Sequence, residues 1–394
     1  MKRILGIVAG TVVTVLVCLG IAEVGLRAVG FSAPVWYRPD AQLGWVLRPG
    51  AKGWFTFEGR GYVQVSPAGF RDRSHDLAKP KNTYRVAVLG DSFVEAFQVD
   101  FKSTFWWQLQ EKLQACAPEG RQVEVMAFGV SGYGTAQESL LLEQTAIRYE
   151  PDLVLLAFTN GNDLLNNSRK LEVEKDRPFY TLDDGNLKLD ASFAQSDEFM
   201  AHTSPWLEYS RQAADRFRVA QMAHQAKKTL AALKAKAGTA QAHDGEKKTL
   251  PGVEPGTDAS VLAPPRDAAW RDTWAVTEAL IARMNAFSQK HGARFALTTI
   301  PYAAQVNPDR DLRRNLQDAL GVPDLFYIEN RMTALGRKEG FPVIPLAYDM
   351  QKRADTDRVF LHGFRNVGLG TGHWNEAGHR MAAEILAQHL CGSM

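Results

Sequence analysis

The sequence predicts an α/β protein: a three-layer α/β/α sandwich around a parallel sheet, preceded by one N-terminal transmembrane helix. Three observations predict it. Short, almost wholly apolar runs alternate with stretches of helical periodicity, the pattern of strands covered by helices on both faces. Several of these runs end in turns rich in Gly, Ser or Asn. An unbroken apolar stretch, Ile4 to Ala22, stands ahead of all of them.

That stretch is close to the ~20 residues needed to cross a bilayer core. Lys2 and Arg3 precede it and Glu23 ends it. Positive charge on the near side favours a cytoplasmic stub at residues 1–3, an anchor at 4–22 in the inner (cytoplasmic) membrane, and a body on the periplasmic side. Gly20-Ile21-Ala22 offers the small residues of a signal-peptidase site, so cleavage is the competing reading. The run exceeds the ~7–15 residues of a signal core, which favours the anchor. Val17 stands where a lipoprotein would need a small residue before Cys18.

Residues 23–80 are rich in Gly, Pro and aromatics, including Trp36, Tyr37, Trp45, Trp54, Phe55 and Phe57. They read as an extended juxtamembrane segment packed on the main domain, with the aromatics as packing rather than a sugar platform. Tyr62 to Val65 alternates like a short strand. The main domain opens with an apolar strand, Tyr84 to Leu89, ending at Gly90. Phe105, Leu109 and Leu113 then repeat at helical spacing. Val123 to Phe128 is a second strand. Thr135-Ala136-Gln137-Glu138 is a capping-box pattern that starts a helix near Ala136. Leu153 to Phe158 is a third strand.

The pattern breaks over 166–267, which is polar and variable. A helix is expected at about 206–234. Residues 235–265 carry too little apolar surface to offset chain entropy and are expected to be mobile. The α/β pattern resumes at about 268. Trp274 to Gln289 is helical, Phe295 to Ile300 and Phe341 to Leu346 are strands, and Asn375 caps a last helix bearing Met381, Ile385 and Leu386.

The formal net charge is +2, which removes any global electrostatic case for nucleic acid as a partner. No zinc-type Cys/His spacing and no glycine-rich phosphate loop is present, so neither metal nor cofactor is expected. Of the three cysteines, Cys18 lies in the apolar run. Cys116 and Cys391 remain, and their separation in sequence decides nothing about whether they pair.

The chemistry-bearing residues stand at predicted strand and helix ends, the edge where open parallel sheets bind ligands. Gly90-Asp91-Ser92 follows the first strand. A serine hydroxyl is a weak nucleophile until a base takes its proton. Gly132 lies in the turn Gly129 to Gly134 after the second strand, and Asn162 in Asn160-Gly161-Asn162-Asp163 after the third. A glycine N–H and an Asn amide are suitable oxyanion donors. Gly372-His373-Trp374-Asn375 opens the last helix and supplies a histidine. His379 reads as structural or surface, Asp163 as structural, and His362, in Leu361-His362-Gly363-Phe364, equally as part of the site mouth or of a packing loop.

With these four blocks in order, the chain resembles the SGNH, or GDSL-type, serine hydrolase superfamily over about 81–165 and 268–392, and its anchored lead-in resembles envelope members. The resemblance implies an SGNH-hydrolase, flavodoxin-like sandwich. It implies Ser92 as nucleophile and first oxyanion donor, Gly132 as second donor, Asn162 as third, and His373 as base. Two positions depart from the family pattern. The third block begins with Asn160 rather than Gly. The acid usually two or three residues before the histidine is replaced by Gly370 and Thr371. A backbone carbonyl, Asp355, Asp357 or Glu376 are the substitutes at hand for orienting His373.

The expected chemistry is acyl transfer through an acyl-serine: an esterase or O-deacetylase acting on an acylated envelope or exported glycan or another ester. A sugar hydroxyl in place of water would make the same site an O-acetyltransferase. The reading from a different class is a catalytically silent glycan-binding scaffold that keeps the fold, and the missing acid favours it.

Overall fold

The structure is a computed structural model that describes residues 2–227, 229–230 and 257–393. At its centre is one five-stranded sheet, β5 (Thr83–Gly90), β6 (Gln122–Gly129), β7 (Leu153–Thr159), β10 (Arg294–Ile300) and β11 (Val343–Pro345). All four pairings in it are parallel and the order is β11-β10-β7-β5-β6. The chain steps from β5 outward to β6, then returns to the other side of β5 to lay down β7. The direction of winding therefore reverses between β5 and β7, at whose carboxyl ends an open α/β sheet binds its ligand.

Every residue of β5 and β7 is buried, the reason those runs read as continuous apolar stretches. The strand side chains alternate between two cores. Ala87 and Leu89 face the one completed by α4 (Thr135–Gln144), α9 (Ala268–Lys290), α10 (Arg310–Leu320) and α11 (Tyr327–Glu339). Val86 and Val88 face the one completed by α3 (Phe105–Cys116), α12 (Leu346–Asp357) and α13 (Glu376–Leu390). The predicted sandwich is the observed one. A disulfide joins Cys116, at the end of α3, to Cys391, just past α13. The packing of α3 on α13 brings together two cysteines that the sequence left unassigned.

Several local expectations are corrected. Helix α4 begins at Thr135, beside the expected Ala136, but its N-cap is Gly134 rather than Thr135. Gln137 Oε1 accepts from Gly134 N–H at 3.4 Å, while Thr135 Oγ1 and both oxygens of Glu138 are buried without hydrogen-bond partners among the described residues. The predicted last strand is cut short at Pro345, because Leu346 already belongs to α12. Helix α1 (Lys2–Ala28) runs past Ala22. It is apolar and long enough to cross a membrane, as a signal sequence near an N-terminus also can be.

The segment after α1 forms two hairpins, β1 (Tyr37–Asp40) with β2 (Gly44–Leu47), and β3 (Lys52–Phe55) with β4 (Gly61–Gln64). Leu47, Val63, Val65 and Phe97 make a small core beneath them. The described parts of 166–267 hold more regular structure than their composition suggests. They include the hairpin β8 (Phe179–Asp183) and β9 (Asn186–Asp190), with Phe179, Tyr180, Phe193 and Phe199 buried. In place of one helix over 206–234, α7 (Pro205–Ala214) stops at a turn before α8 (residues 218–227). Residues 259–263 are not mobile surface: Val261 and Leu262 are fully buried in the core. A few apolar anchors spaced along a polar stretch suffice to dock it, and average composition hides them. Residues 235–256 lie outside the described residues.

Candidate active site

The four blocks meet at the carboxyl edge of the sheet. Ser92 is the first residue of the one-turn helix α2 (Ser92–Glu95) that follows β5, with Asp91 as its N-cap. His373 lies near the end of β13 (Gly368–Trp374), which pairs with β12 (His362–Phe364) ahead of α13. His373 Nε2 is 2.8 Å from Ser92 Oγ. That distance and pairing let imidazole take the hydroxyl proton as the oxygen attacks.

The acid that orients the imidazole comes from neither side of His373 in sequence. It is Glu58, in the turn between β3 and β4. Glu58 Oε2 lies 2.5 Å from His373 Nδ1, and Oε1 accepts the backbone N–H of His373 at 2.7 Å. One carboxylate thus fixes both the ring and the chain that carries it. Gly372, at φ +78°, makes the approach feasible: a Cβ there would stand 2.1 Å from Glu58 Oε1. The hairpin tip is held by Asn366, whose Oδ1 accepts from Gly59 N–H at 3.1 Å. Burial works to raise the Glu58 pKa, but the hydrogen bond, the charge and the backbone N–H of His373 together outweigh it and hold the carboxyl below its ordinary value.

The three acids that sequence reasoning offered are elsewhere. Asp355 is bound to Arg313 at 2.8 Å and to Arg310 at 3.1 Å. Asp357 faces Arg353 at 3.5 Å. Glu376 is exposed at the first turn of α13. The missing signal has a plain cause. Glu58 sits in an ordinary hairpin turn, and nothing local to it predicts a partner on β13.

Gly132 and Ser92 both present backbone N–H groups that donate to no other described residue. The Gly132 loop is pinned from both sides: Trp45 Nε1 donates to Ser131 O at 2.9 Å, and Ser131 N–H donates to Glu95 Oε1 at 3.2 Å. Glu95, fully buried, is pushed up to about 7 by that burial, against the hydrogen bonds from Ser131 and Tyr37 and the charge of Arg71. Asn162 reaches the same edge, but its amide is engaged. Nδ2 donates to Asp91 Oδ2 at 3.0 Å and to Asn166 Oδ1 at 3.1 Å. An oxyanion would have to replace one of these two acceptors, and Asn166 is the neutral one.

His362 and His379, the two other histidines of the C-terminal blocks, are engaged inside the fold. His362 Nδ1 lies 2.7 Å from Gly372 O, and burial drops its pKa to about 4, so it is a neutral prop for the strand that carries His373. His379 is also buried, with a pKa pushed down to about 3, and its Nδ1 accepts from Phe105 N–H at 3.2 Å. Asp163 accepts from Thr159 N–H at 2.8 Å beneath the site, and burial raises it well above an ordinary carboxyl.

No protein-family model matches the chain, and no curated protein matches it in sequence. Among solved structures it is similar to the acetyl xylan esterase AlAXEase, at 13% identity and TM-score 0.38 over 78% of this chain and 99% of that one. It is also similar to a GDSL-like lipase from Bacteroides thetaiotaomicron, at 11% identity and TM-score 0.35 over 81% and 93% of the two chains. A lipase/acylhydrolase from Enterococcus faecalis aligns at 13% identity and TM-score 0.37 over 78% and 96%. At such scores the chemistry of the site rests on its own geometry.

Proposed function

We propose that the chain is an SGNH-type serine acyl hydrolase, an esterase or O-deacetylase that works through an acyl-serine and takes its esters from an envelope or exported glycan. The observation that carries this reading is the unbroken line from Glu58 through His373 to Ser92, with spacings of 2.5 and 2.8 Å. In this mechanism Ser92 Oγ attacks the ester carbonyl as its proton passes to His373 Nε2. Glu58 stays ionised, holds the imidazole in the tautomer with Nδ1–H, and stabilises the imidazolium that forms. The tetrahedral oxyanion is received by the N–H groups of Ser92 and Gly132, joined by Asn162 once its amide turns from Asn166. Collapse expels the sugar oxygen, which takes the proton from His373. Water, activated by the same imidazole, then releases the acid.

The silent-scaffold reading leaned on the absence of an acid beside His373, and Glu58 removes that support. Two features support a body outside the cytoplasm and an anchor in the membrane: the apolar α1 behind Lys2 and Arg3, and the Cys116–Cys391 disulfide, a bond that persists in oxidising compartments.

The experiment is active-site labelling of the full-length protein with a fluorophosphonate, followed by peptide mapping. Label on Ser92, lost in Ser92→Ala, is the expected result. An unlabelled, folded protein would leave only the scaffold. Release of free acetate from an O-acetylated oligosaccharide, against transfer to an added sugar acceptor, then separates hydrolase from O-acetyltransferase.

A further inference from the structure

Beside the Gly132 loop lies a buried cation whose bonding is incomplete. Arg177, in the segment after the third block, is only 3% exposed. Its nearest carboxylate is that of Glu172, 3.7 Å from Nη1, too far for a hydrogen bond. Nε and Nη1 are both shut off from solvent with no hydrogen-bond partner among the described residues. Nη2 also bonds to no described residue, yet it is not among the atoms sealed from solvent, so it is the nitrogen through which Arg177 reaches the surface. A Cβ built on Gly132 would stand 4.0 Å from that Nη2. The face of the Trp45 ring lies 4.9 Å from the guanidinium carbon and covers the group on another side.

Burying a guanidinium without hydrogen-bond partners costs stability, and a ligand that supplies an acceptor recovers it. A purely structural arginine would find its acceptors inside the fold, as Arg85 does with Glu124, Tyr149 O, Asp76 O and Leu77 O. Arg177 keeps one donor at the surface instead, next to the loop that carries an oxyanion N–H in the reading above. Glu172, Glu174 and Asp163 add negative charge around it, which disfavours a doubly charged phosphate monoester and suits a singly charged group such as a carboxylate.

We propose that Arg177 Nη2 is a carboxylate-binding subsite, so that the preferred substrate of the Ser92 site is an ester of an acidic, uronate-bearing glycan. The proposal rests on the hydrolase reading for what Ser92 does, but not for whether the acid binds. The test is equilibrium titration of the full-length protein in detergent micelles with an oligoglucuronate and with a neutral xylo-oligosaccharide of equal length. The acidic oligomer should bind about tenfold tighter or more, the range of a charge-assisted hydrogen bond. The preference should weaken with salt, vanish in Arg177→Met and survive in part in Arg177→Lys. Equal binding of the two oligomers by the unaltered protein would overturn the proposal, as would an undiminished preference in Arg177→Met. If Arg177 instead served the oxyanion, Arg177→Met would slow turnover of neutral and acidic acetyl sugars alike and leave binding unchanged, which also counts against it. Fluorophosphonate labelling of Ser92, run on the same samples, reports separately on the hydrolase reading.

Discussion

Glu58 and His373, 315 positions apart in the chain, meet with Oε2 2.5 Å from Nδ1. The β3–β4 hairpin is therefore part of the wall of the candidate site, and the orientation of the His373 ring depends on how that hairpin docks. Glu58→Gln should keep the fold and lower kcat by ~10²–10⁴-fold, because an amide oriented the wrong way favours the unproductive tautomer. Steady-state kinetics on a soluble acetyl ester would check it, and unchanged kcat would remove Glu58 from the mechanism.

Thr371→Asp becomes a rescue experiment. With Glu58 present, a second carboxylate beside His373 should be neutral or harmful. In a Glu58→Ala background it should recover part of the lost rate, since Thr371 stands two residues before the histidine on the same strand. The four-variant cycle reads this as a change of sign in the effect of Thr371→Asp.

Ser92→Ala and His373→Ala should each abolish turnover, and the double variant should be no worse than either, since nucleophile and base act as one unit. Asn162→Ala should cost ~10²–10³-fold in kcat if its amide turns to the oxyanion. Loss of stability alone, with kcat intact, would confine Asn162 to its bonds with Asp91 and Asn166.

Two buried carboxyls outside the reacting set predict how stability depends on pH. Burial raises both Glu95 and Glu329 to about 7 from an ordinary 4.5. The folded protein thus holds more protons than the unfolded chain between those values. The stability these two groups contribute is full below about 4.5 and is lost as pH rises through about 7. Thermal unfolding between pH 4.5 and 8 should show that decline, and Glu329→Gln should flatten it, with Asn160 and Gln305 still hydrogen-bonded to the amide.

Replacing Cys116 and Cys391 by Ser should lower stability by about 2–4 kcal/mol, the usual effect of opening a long covalent loop. Activity at low temperature should persist, because neither residue touches the site. Denaturant titration of the reduced and oxidised protein gives the same comparison without mutation.

The strands of the sheet were legible in the sequence because a buried parallel strand declares itself locally, as Tyr84 to Leu89 and Leu153 to Phe158 do. Ser92 and His373 were legible for a related reason: each sits in a short block of residues at the end of an element, and the geometry such a block needs is written within it. Gly132 and Asn162 could be named the same way, though the engagement of the Asn162 amide by Asp91 and Asn166 could not. The break between α7 and α8 and the burial of Val261 and Leu262 were hidden because a few anchor residues, not average composition, decide what docks. Glu58, the Cys116–Cys391 pair and the under-bonded Arg177 belong to a different order of information. Each is defined by a partner, or a missing partner, far away in the chain. A hairpin turn, a helix end and a loop arginine look the same in sequence wherever they fold. Only the packing of the first eighty residues and of the 166–200 segment on the sheet brings Glu58 and Arg177 to the serine, and only the packing of α3 on α13 joins the cysteines; such packing is a sum of weak apolar contacts with no periodic signature.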